Sequence, residues 1–478
     1  MSIVLFQPRT GALDRINTRL PMGLLYAASY AHREGRKVTI IDQRLECWKP
    51  RLKASLKGAL FFGTTCMTGP QISHALEGAA MAKETGVPVV FGGIHPTILP
   101  EQTLKSGLVD VVVRGEGDLA VMELADAMER NRGLAGIAGL SYKSKGRTVH
   151  NRDRPFLRGE EVLLPPYELL RMGDYRSVSF HGERSYSIVS SRGCPFRCAF
   201  CYNSVCNAGS WRPFPLKAVM ENARSLIDDY GAKTLYFEDD NICVDSARFE
   251  SIVGGLTKER GVGLAFQGIR MDVLSKFRPE TFRLMDRASE LSLDMGIESS
   301  SPRVLAMVDK SLGLAAVKAA LGKLERHDFT CKFNFIVGLP DESMREVRED
   351  VRFGLELNRR HKNSYSLFNI YTPYPGTKLF AAAVRGGFHP PESLEEWSRF
   401  SQLAWLTPGN GWLAAKEISF LKDVSFLSMF AKPSIQLKAS NAISKAAIRA
   451  YSPVARARLQ SGCFSLPLER ALAEKLAG

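Results

Sequence analysis

Long apolar runs are missing from this chain. No stretch approaches the roughly 20 residues that a bilayer-spanning helix needs, so no transmembrane span is expected. Cysteine is sparse, with nine in 478 residues, too few for a disulfide framework. The N-terminus, Met1-Ser2-Ile3-Val4-Leu5-Phe6, has no basic region ahead of its apolar run. That run stops at Gln7-Pro8, too short for a secretory signal, and the expectation is a cytoplasmic protein with free thiols. A second C-x2-C pair is also missing, which argues against a tetrahedral zinc site built from paired units. The net charge is +14, but the basic residues are scattered and no RNA-binding module accompanies them, so nucleic acid is not an expected partner. A peripheral membrane contact stays open. With 45% apolar and 24% charged residues, the chain reads as two or three globular domains with a substantial core.

What is present is concentrated in Ser190-Ser191-Arg192-Gly193-Cys194-Pro195-Phe196-Arg197-Cys198-Ala199-Phe200-Cys201. The spacing is C-x3-C-x2-C. Three thiolates on so short a loop can hold three corners of a cubic iron–sulfur cluster. No fourth cysteine continues the pattern as a ferredoxin's does, and Cys206, five residues on, reads as a bystander. One iron then lacks a protein ligand and stays open to a small molecule. This loop resembles the signature of the radical S-adenosylmethionine (SAM) enzymes, with Phe200 as the aromatic before the third cysteine. The resemblance implies Cys194, Cys198 and Cys201 as ligands of a 4Fe–4S cluster whose open iron takes SAM.

The first 150 residues alternate apolar strands (2–7, 37–42, 59–63, 87–92 and 109–114) with helices (22–33 and 71–85). That pattern predicts an α/β, doubly wound parallel sheet, with ligands beyond the carboxyl ends of its strands. Three of those ends carry glycine with small polar residues: Gly63-Thr64-Thr65-Cys66, Gly92-Gly93-Ile94-His95-Pro96-Thr97 and Arg114-Gly115-Glu116-Gly117. Glycine lets a backbone approach a ligand closely. Over about residues 1–140 these loops resemble the cobalamin-binding domain fused to many radical SAM enzymes. The resemblance implies cobalamin contacts at Gly63, Thr64, Thr65, Gly92, Gly93, His95, Arg114, Gly115 and Glu116. The D-x-H-x-x-G motif of many cobalamin domains is absent. Tyr30-Ala31-His32-Arg33-Glu34-Gly35 matches its H-x-x-G part only, and at the end of a helix. The cobalt's lower contact is therefore unassigned. His95 is on offer, and a structural role suits it equally.

Residues 151–185, punctuated by Pro155, Pro165 and Pro166, read as a linker. From 186 to 380 six strands alternate with helices, matching the partial (β/α)6 barrel of the radical SAM family, and residues 381–478 read as a helical C-terminal region. Glu238-Asp239-Asp240 ends the second barrel strand, where a carboxylate suits the SAM ammonium. Gly296-Ile297-Glu298 ends the fourth and resembles the segment that contacts the methionine or ribose part. Gly338-Leu339-Pro340 ends the fifth, by resemblance near adenine. Thr372-Pro373-Tyr374-Pro375-Gly376-Thr377 ends the sixth and is expected to face the substrate. In the tail, Trp397, Trp405 and Trp412 and the segment from Phe420 to Phe430 suggest packing helices that close over the site.

The resemblance implies reductive cleavage of SAM, hydrogen abstraction from an unactivated carbon, and methyl transfer from cobalamin to that carbon or to phosphorus. The whole chain also resembles the relatives of the anaerobic magnesium-protoporphyrin ester cyclase, which leaves oxidation, cyclisation or rearrangement as the alternative. A cluster-bearing sensor is a third. The expected partners are a small-molecule or lipid substrate and a reductant such as flavodoxin or ferredoxin.

Overall fold

Strands covered on both faces need apolar residues at nearly every position, and the N-terminal region supplies five such runs. In the computed structural model, which describes residues 2–11, 14, 18–175, 184–258, 261–400, 411–432 and 442–463, they are β1 (Ser2–Gln7), β2 (Val38–Asp42), β3 (Ala59–Thr65), β4 (Val89–Gly92) and β5 (Val111–Val113). β6 (Leu140–Ser144) and β7 (Arg147–His150) complete a sheet of order β2-β1-β3-β4-β5-β6-β7. The first five strands are parallel. The chain begins at β1, adds β2 on one side and crosses back to β3, so the strand order reverses between β1 and β3. Such a switch point opens a crevice at the carboxyl ends of the strands.

The antiparallel β6–β7 hairpin is absent from the sequence reading. Its turn, Lys145-Gly146, has φ of 48° and 76° at its two central residues, as a tight two-residue hairpin turn requires. Lysine in place of the usual asparagine or aspartate hid it. The helix Trp48–Leu56 was also missed, because only Leu52 and Leu56 are buried on a basic segment that includes Pro50.

The compact units divide the chain at points other than those of the sequence reading. The first comprises Met1–Tyr175 with Pro390–Gln402, and the second Arg176–His389 with Leu403–Gly478. Much of the expected linker packs on the first unit: Tyr30 Oη donates to the Glu161 carbonyl at 2.5 Å, and Tyr175 Oη to Asp42 at 3.2 Å. Residues 390–402 return to the same unit, where the Trp397 indole N–H donates to Gln102 at 2.7 Å and Gln102 donates to the Pro391 carbonyl at 2.9 Å.

In the second unit, β8 (Ser185–Ile188), β11 (Thr234–Phe237), β12 (Gly263–Arg270), β13 (Leu291–Glu298), β14 (Thr330–Val337) and β15 (Ser364–Ile370) form one parallel sheet. Its order, β15-β14-β13-β12-β11-β8, adds each new strand to the same edge, as a barrel does. The end strands do not pair, so the barrel is partial. Right-handed crossovers put the connecting helices on one face. The strands show it by alternation: Leu293, Met295, Ile297, Phe333, Phe335 and Val337 are buried, and the residues between them are mostly part-exposed. Two short antiparallel strands, β9 (Ser191–Gly193) and β10 (Trp211–Pro213), lie between β8 and β11 in sequence. The helix Ala415–Phe430 packs on β15 and on the helix Ala442–Ser461. Trp405 lies outside the described residues. Among the described residues no helix is long and apolar enough to cross a membrane.

Phe266 is 1% exposed; Phe237 stacks on it and Phe249 meets it edge to face, each at 5.1 Å. Phe266→Ala is expected to cost about 3–5 kcal/mol in the second unit's urea unfolding. A cost below about 1 kcal/mol would show that this aromatic layer does not hold the barrel wall.

Candidate active site

The three cysteines lie on a loop closed at its base by the β9–β10 ladder. Gly193 sits there with φ of 82°, and a Cβ on it would stand 2.1 Å from the Ser210 carbonyl oxygen, so only glycine allows the closure. Asp239, fully buried, accepts from the Ser190 amide at 2.9 Å, the Ser190 hydroxyl at 2.8 Å and the Ser191 hydroxyl at 2.6 Å. Burial pushes its carboxyl up to about 6 against those bonds. Asp240 accepts from the Gly193 amide at 3.0 Å. Further along, the Ala199 amide donates to the Val308 carbonyl at 2.8 Å, and the Leu379 amide to the Ala199 carbonyl at 3.0 Å. The loop is thus tied at its entry and, through both backbone groups of Ala199, at its middle.

Cys194, Cys198 and Cys201 are half-buried free thiols. Burial raises all three, Cys201 to about 12. Two cations oppose that effect at Cys198. One is Lys310. The other is Arg270, at the end of β12, whose guanidinium lies 3.7 Å from the Phe196 ring centroid and pairs with Asp272 at 3.0 Å. The Asn241 amide points at Cys194 Sγ, 3.9 Å away. Among the described residues no group of three or more His, Cys, Asp or Glu is gathered around a single ion position. A cluster does not ask for that, because each thiolate takes a different iron. Three free thiols on one clamped loop, with buried cations beside it, fit a 4Fe–4S cluster.

The SAM candidates fall into different roles. Asp239 and Asp240 commit oxygens to the cluster loop. Glu238, half-buried, accepts from Ser187 Oγ at 2.9 Å. At the end of β13, Lys310 Nζ donates to Glu298 Oε1 at 2.5 Å and to the Gly296 carbonyl at 2.8 Å. A Cβ on Gly296 would meet Glu298 Oε1 at 2.2 Å, so the glycine makes room for this buried pair. Glu298 has φ of 66°, a left-handed backbone that costs of order 1 kcal/mol and is retained where geometry matters. Gly338 and Pro340 are buried. The Gly338 amide donates to Glu342 at 2.6 Å and its carbonyl accepts from Trp412 at 3.1 Å. Tyr374, part-exposed, lies near Cys201.

In the first unit, the loops after β3, β4 and β5 interlock. The Cys66 amide donates to the Gly92 carbonyl at 3.0 Å, the His95 amide to the Cys66 carbonyl at 3.2 Å, and the Gly115 amide to Thr97 Oγ1 at 2.9 Å. A Cβ on Gly93, with φ of 94°, would stand 2.5 Å from Thr65 Oγ1. The buried Thr64 hydroxyl donates to the Phe6 carbonyl at 3.1 Å, and a Cβ on Gly63 would meet Leu5 at 2.8 Å, so both serve the sheet. Arg114 donates to the carbonyls of Leu140 and Asn151 and to Asp153, and Glu116 accepts from the Leu157 amide, so both staple neighbouring segments. His95 is fully buried. Its Nδ1 is 2.9 Å from the Thr68 hydroxyl, Trp397 stands edge-on at 5.7 Å, and Nε2 has no partner. Burial lowers its imidazole to about 4, so it is neutral. His32 pairs with Glu168 at 2.8 Å. The crest left by Thr65, Gly92, Gly93 and Gly115 carries only small groups, which suits a flat macrocycle lying on it.

The B12 binding domain family matches residues 17–125 and the radical SAM superfamily residues 188–354. An uncharacterized methyltransferase of Pyrococcus horikoshii is 31% identical over 452 residues, which cover 92% of this chain and 94% of that one. The chain belongs to the radical SAM superfamily, in the branch that carries a B12-binding domain. Its cofactors are accordingly a 4Fe–4S cluster, SAM and cobalamin. The anaerobic magnesium-protoporphyrin IX monomethyl ester cyclase of Rubrivivax gelatinosus is 26% identical over 66% of this chain and 57% of its own length. Among solved structures, the cobalamin-dependent SAM radical enzyme OxsB with aqua-cobalamin and SAM bound superposes with a TM-score of 0.74 at 18% identity, over 96% of this chain and 71% of that one.

Sequence reasoning missed Lys310, Arg270 and Glu342. Each is a single charged residue that no recurring motif marks, and its place beside the site is set by the fold. Glu342 bonds the amides of Gly338 and Leu339, and its Oε1 is buried without a partner. Burial, with Asp350 and Glu346 adding to it, pushes its carboxyl up to about 8. The folded chain therefore keeps a proton that the unfolded chain releases near the usual carboxylate range. That contribution to stability is full at low pH and is lost as pH rises through about 8. Glu342→Gln removes the titration. Its urea midpoint should fall less than the wild type's between pH 6 and pH 9, and an equal fall in both proteins would contradict the assignment.

Proposed function

We propose that the protein is a cobalamin-dependent radical SAM methyltransferase acting on an unactivated carbon, or a phosphorus, of a small molecule. When bound, the cluster supplies the electron that cleaves SAM and the cobalamin supplies the methyl group. The observation that carries the reading is the three-cysteine loop, clamped by Asp239 and Asp240, in one chain with the interlocked small-residue loops of a B12-binding domain.

The chain's own residues have these parts. Cys194, Cys198 and Cys201 hold three corners of the cluster. Asp239, Asp240, Val308 and Leu379 fix their loop, so that it would hold the cluster in one orientation. Glu238 and the Glu298–Lys310 pair offer the charges that a SAM ammonium and carboxylate need. Gly338 and Pro340 contribute apolar backbone surface beside adenine. Gly92, Gly93, Thr65 and Gly115 form the crest under the corrin. His95 locks the loops after β3 and β4 together. A small reducing protein such as flavodoxin or ferredoxin delivers the electron, and the cytoplasm provides it.

The test is anaerobic reconstitution with iron, sulfide and hydroxocobalamin, followed by mass spectrometry of products formed from SAM. The expected result is both 5′-deoxyadenosine and S-adenosylhomocysteine, with both lost in Cys198→Ser. 5′-Deoxyadenosine without S-adenosylhomocysteine in the presence of turned-over substrate would replace methylation by oxidation or cyclisation, the chemistry of the cyclase relatives.

A further inference from the structure

One neutral side chain reaches the cluster loop from the turn after β11. Asn241, 1% exposed, follows Asp240 and caps the short helical turn Ile242–Val244. Its Oδ1 accepts from the Cys243 amide at 3.1 Å, which fixes the side-chain amide in one orientation. Nδ2 then points at Cys194 Sγ, 3.9 Å away, at the long end of an N–H···S bond. Among the described residues Nδ2 has no other acceptor.

The turn that carries Asn241 is held in place. Asp240 accepts from the Gly193 amide at 3.0 Å. The β12–β13 register shifts between Phe266 and Ile269, and in that bulge Gly268 has φ of 73°. A Cβ on it would meet the Asp240 carbonyl oxygen at 2.5 Å, so the bulge is seated against the turn.

A cap alone does not call for asparagine. Aspartate caps as well, but it has no donor for a second partner. The cations beside the loop are largely spent on carboxylates: Lys310 donates to Glu298, and Arg270 to Asp272 at 3.0 and 3.2 Å. Cys194 and Cys201 also accept from the backbone amides of Phe196 and Asn203, which a side-chain change leaves in place. Asn241 is therefore the side-chain donor aimed at a cluster sulfur. A reduced cluster carries one more negative charge than the oxidised one. A donor to sulfur holds the reduced state more tightly and raises the reduction potential.

We propose that Asn241 sets the reduction potential of the cluster, through a hydrogen bond from Nδ2 to Cys194 Sγ that strengthens when the cluster takes its electron. The residue thereby decides how weak a reductant can load the cluster for SAM cleavage. The inference rests on Cys194 being a cluster ligand.

The test is a redox titration of the anaerobically reconstituted full chain with titanium(III) citrate, read by the EPR signal of the reduced cluster. One electron passes from Ti(III), which becomes Ti(IV), to the cluster, and no bond is made or broken. Asn241→Asp keeps the cap and sets a negative oxygen in place of the donor. Asn241→Ser keeps a capping oxygen and removes the amide. In each, the reduced-to-oxidised ratio at the wild-type midpoint should fall about tenfold, which for a one-electron couple is a shift of about 59 mV to more negative potential. The midpoint is read on whatever cluster is loaded, so partial loss of iron does not blur it. If Asn241→Asp holds no cluster, Asn241→Ser decides. A midpoint that stays at the wild-type value in the loaded variants overturns the proposal. Cys194→Ser should lose the EPR signal. A wild-type signal and iron content in that variant would remove the ligand assignment, and this proposal falls with it.

Discussion

The constraint on which the rest depends is the pair of carboxylates at the end of β11. An oxygen-rich side chain with no exposed surface is costly unless its partners are good, and Asp239 has three donors on Ser190 and Ser191. Asp240 adds the Gly193 amide. Together they fix where the chain leaves β8 and enters the cysteine loop. Everything functional in the second unit is referred to that point: the loop's clasp at Ser210, its backbone ties to Val308 and Leu379, and the bulge at Gly268 that rests on Asp240. A loop so constrained holds three thiols at set positions without a fourth protein ligand.

Around this clamp the fold places opposite charges in pairs. Glu298 with Lys310, Arg270 with Asp272 and Asp294 with Lys332 all belong to the barrel strands or the segments that follow them. The first two are almost fully buried on at least one side, and the third is open. Buried pairs gain little net stability and are costly to break, so they serve position more than strength. The first unit has a different design. Its strand-end loops bind one another through backbone groups and keep their crest free of bulk, as a surface for a large flat cofactor does.

Much of this was legible in the sequence, and for physical reasons. The C-x3-C-x2-C spacing is local, so it could be read directly. The five parallel strands of the first unit announce themselves because burial on both faces demands unbroken apolar runs. The six barrel strands alternate with helices, and those helices mark the intervals. What was not legible depended on distance. The acidic turn Glu238-Asp239-Asp240 was expected to meet SAM; two of its three carboxylates also hold the cluster loop, Asp239 through serines 48 and 49 positions away and Asp240 through the Gly193 amide, 47 positions away. Arg114 and Glu116 were read as ligand contacts; their second part, holding neighbouring segments, could not be read, because the unforeseen β6–β7 hairpin and the segment after it supply the partners. The return of Pro390–Gln402 to the first unit rests on Trp397 and Gln102, 295 positions apart, and no local pattern signals it.

The central claim is that this loop holds a cluster with a single iron left for SAM. Mössbauer spectroscopy of the 57Fe-reconstituted wild-type protein, with and without SAM, tests it most directly. The account predicts that SAM shifts the signal of one iron site and leaves the others unchanged. A cluster whose irons all remain as they were on adding SAM would contradict it.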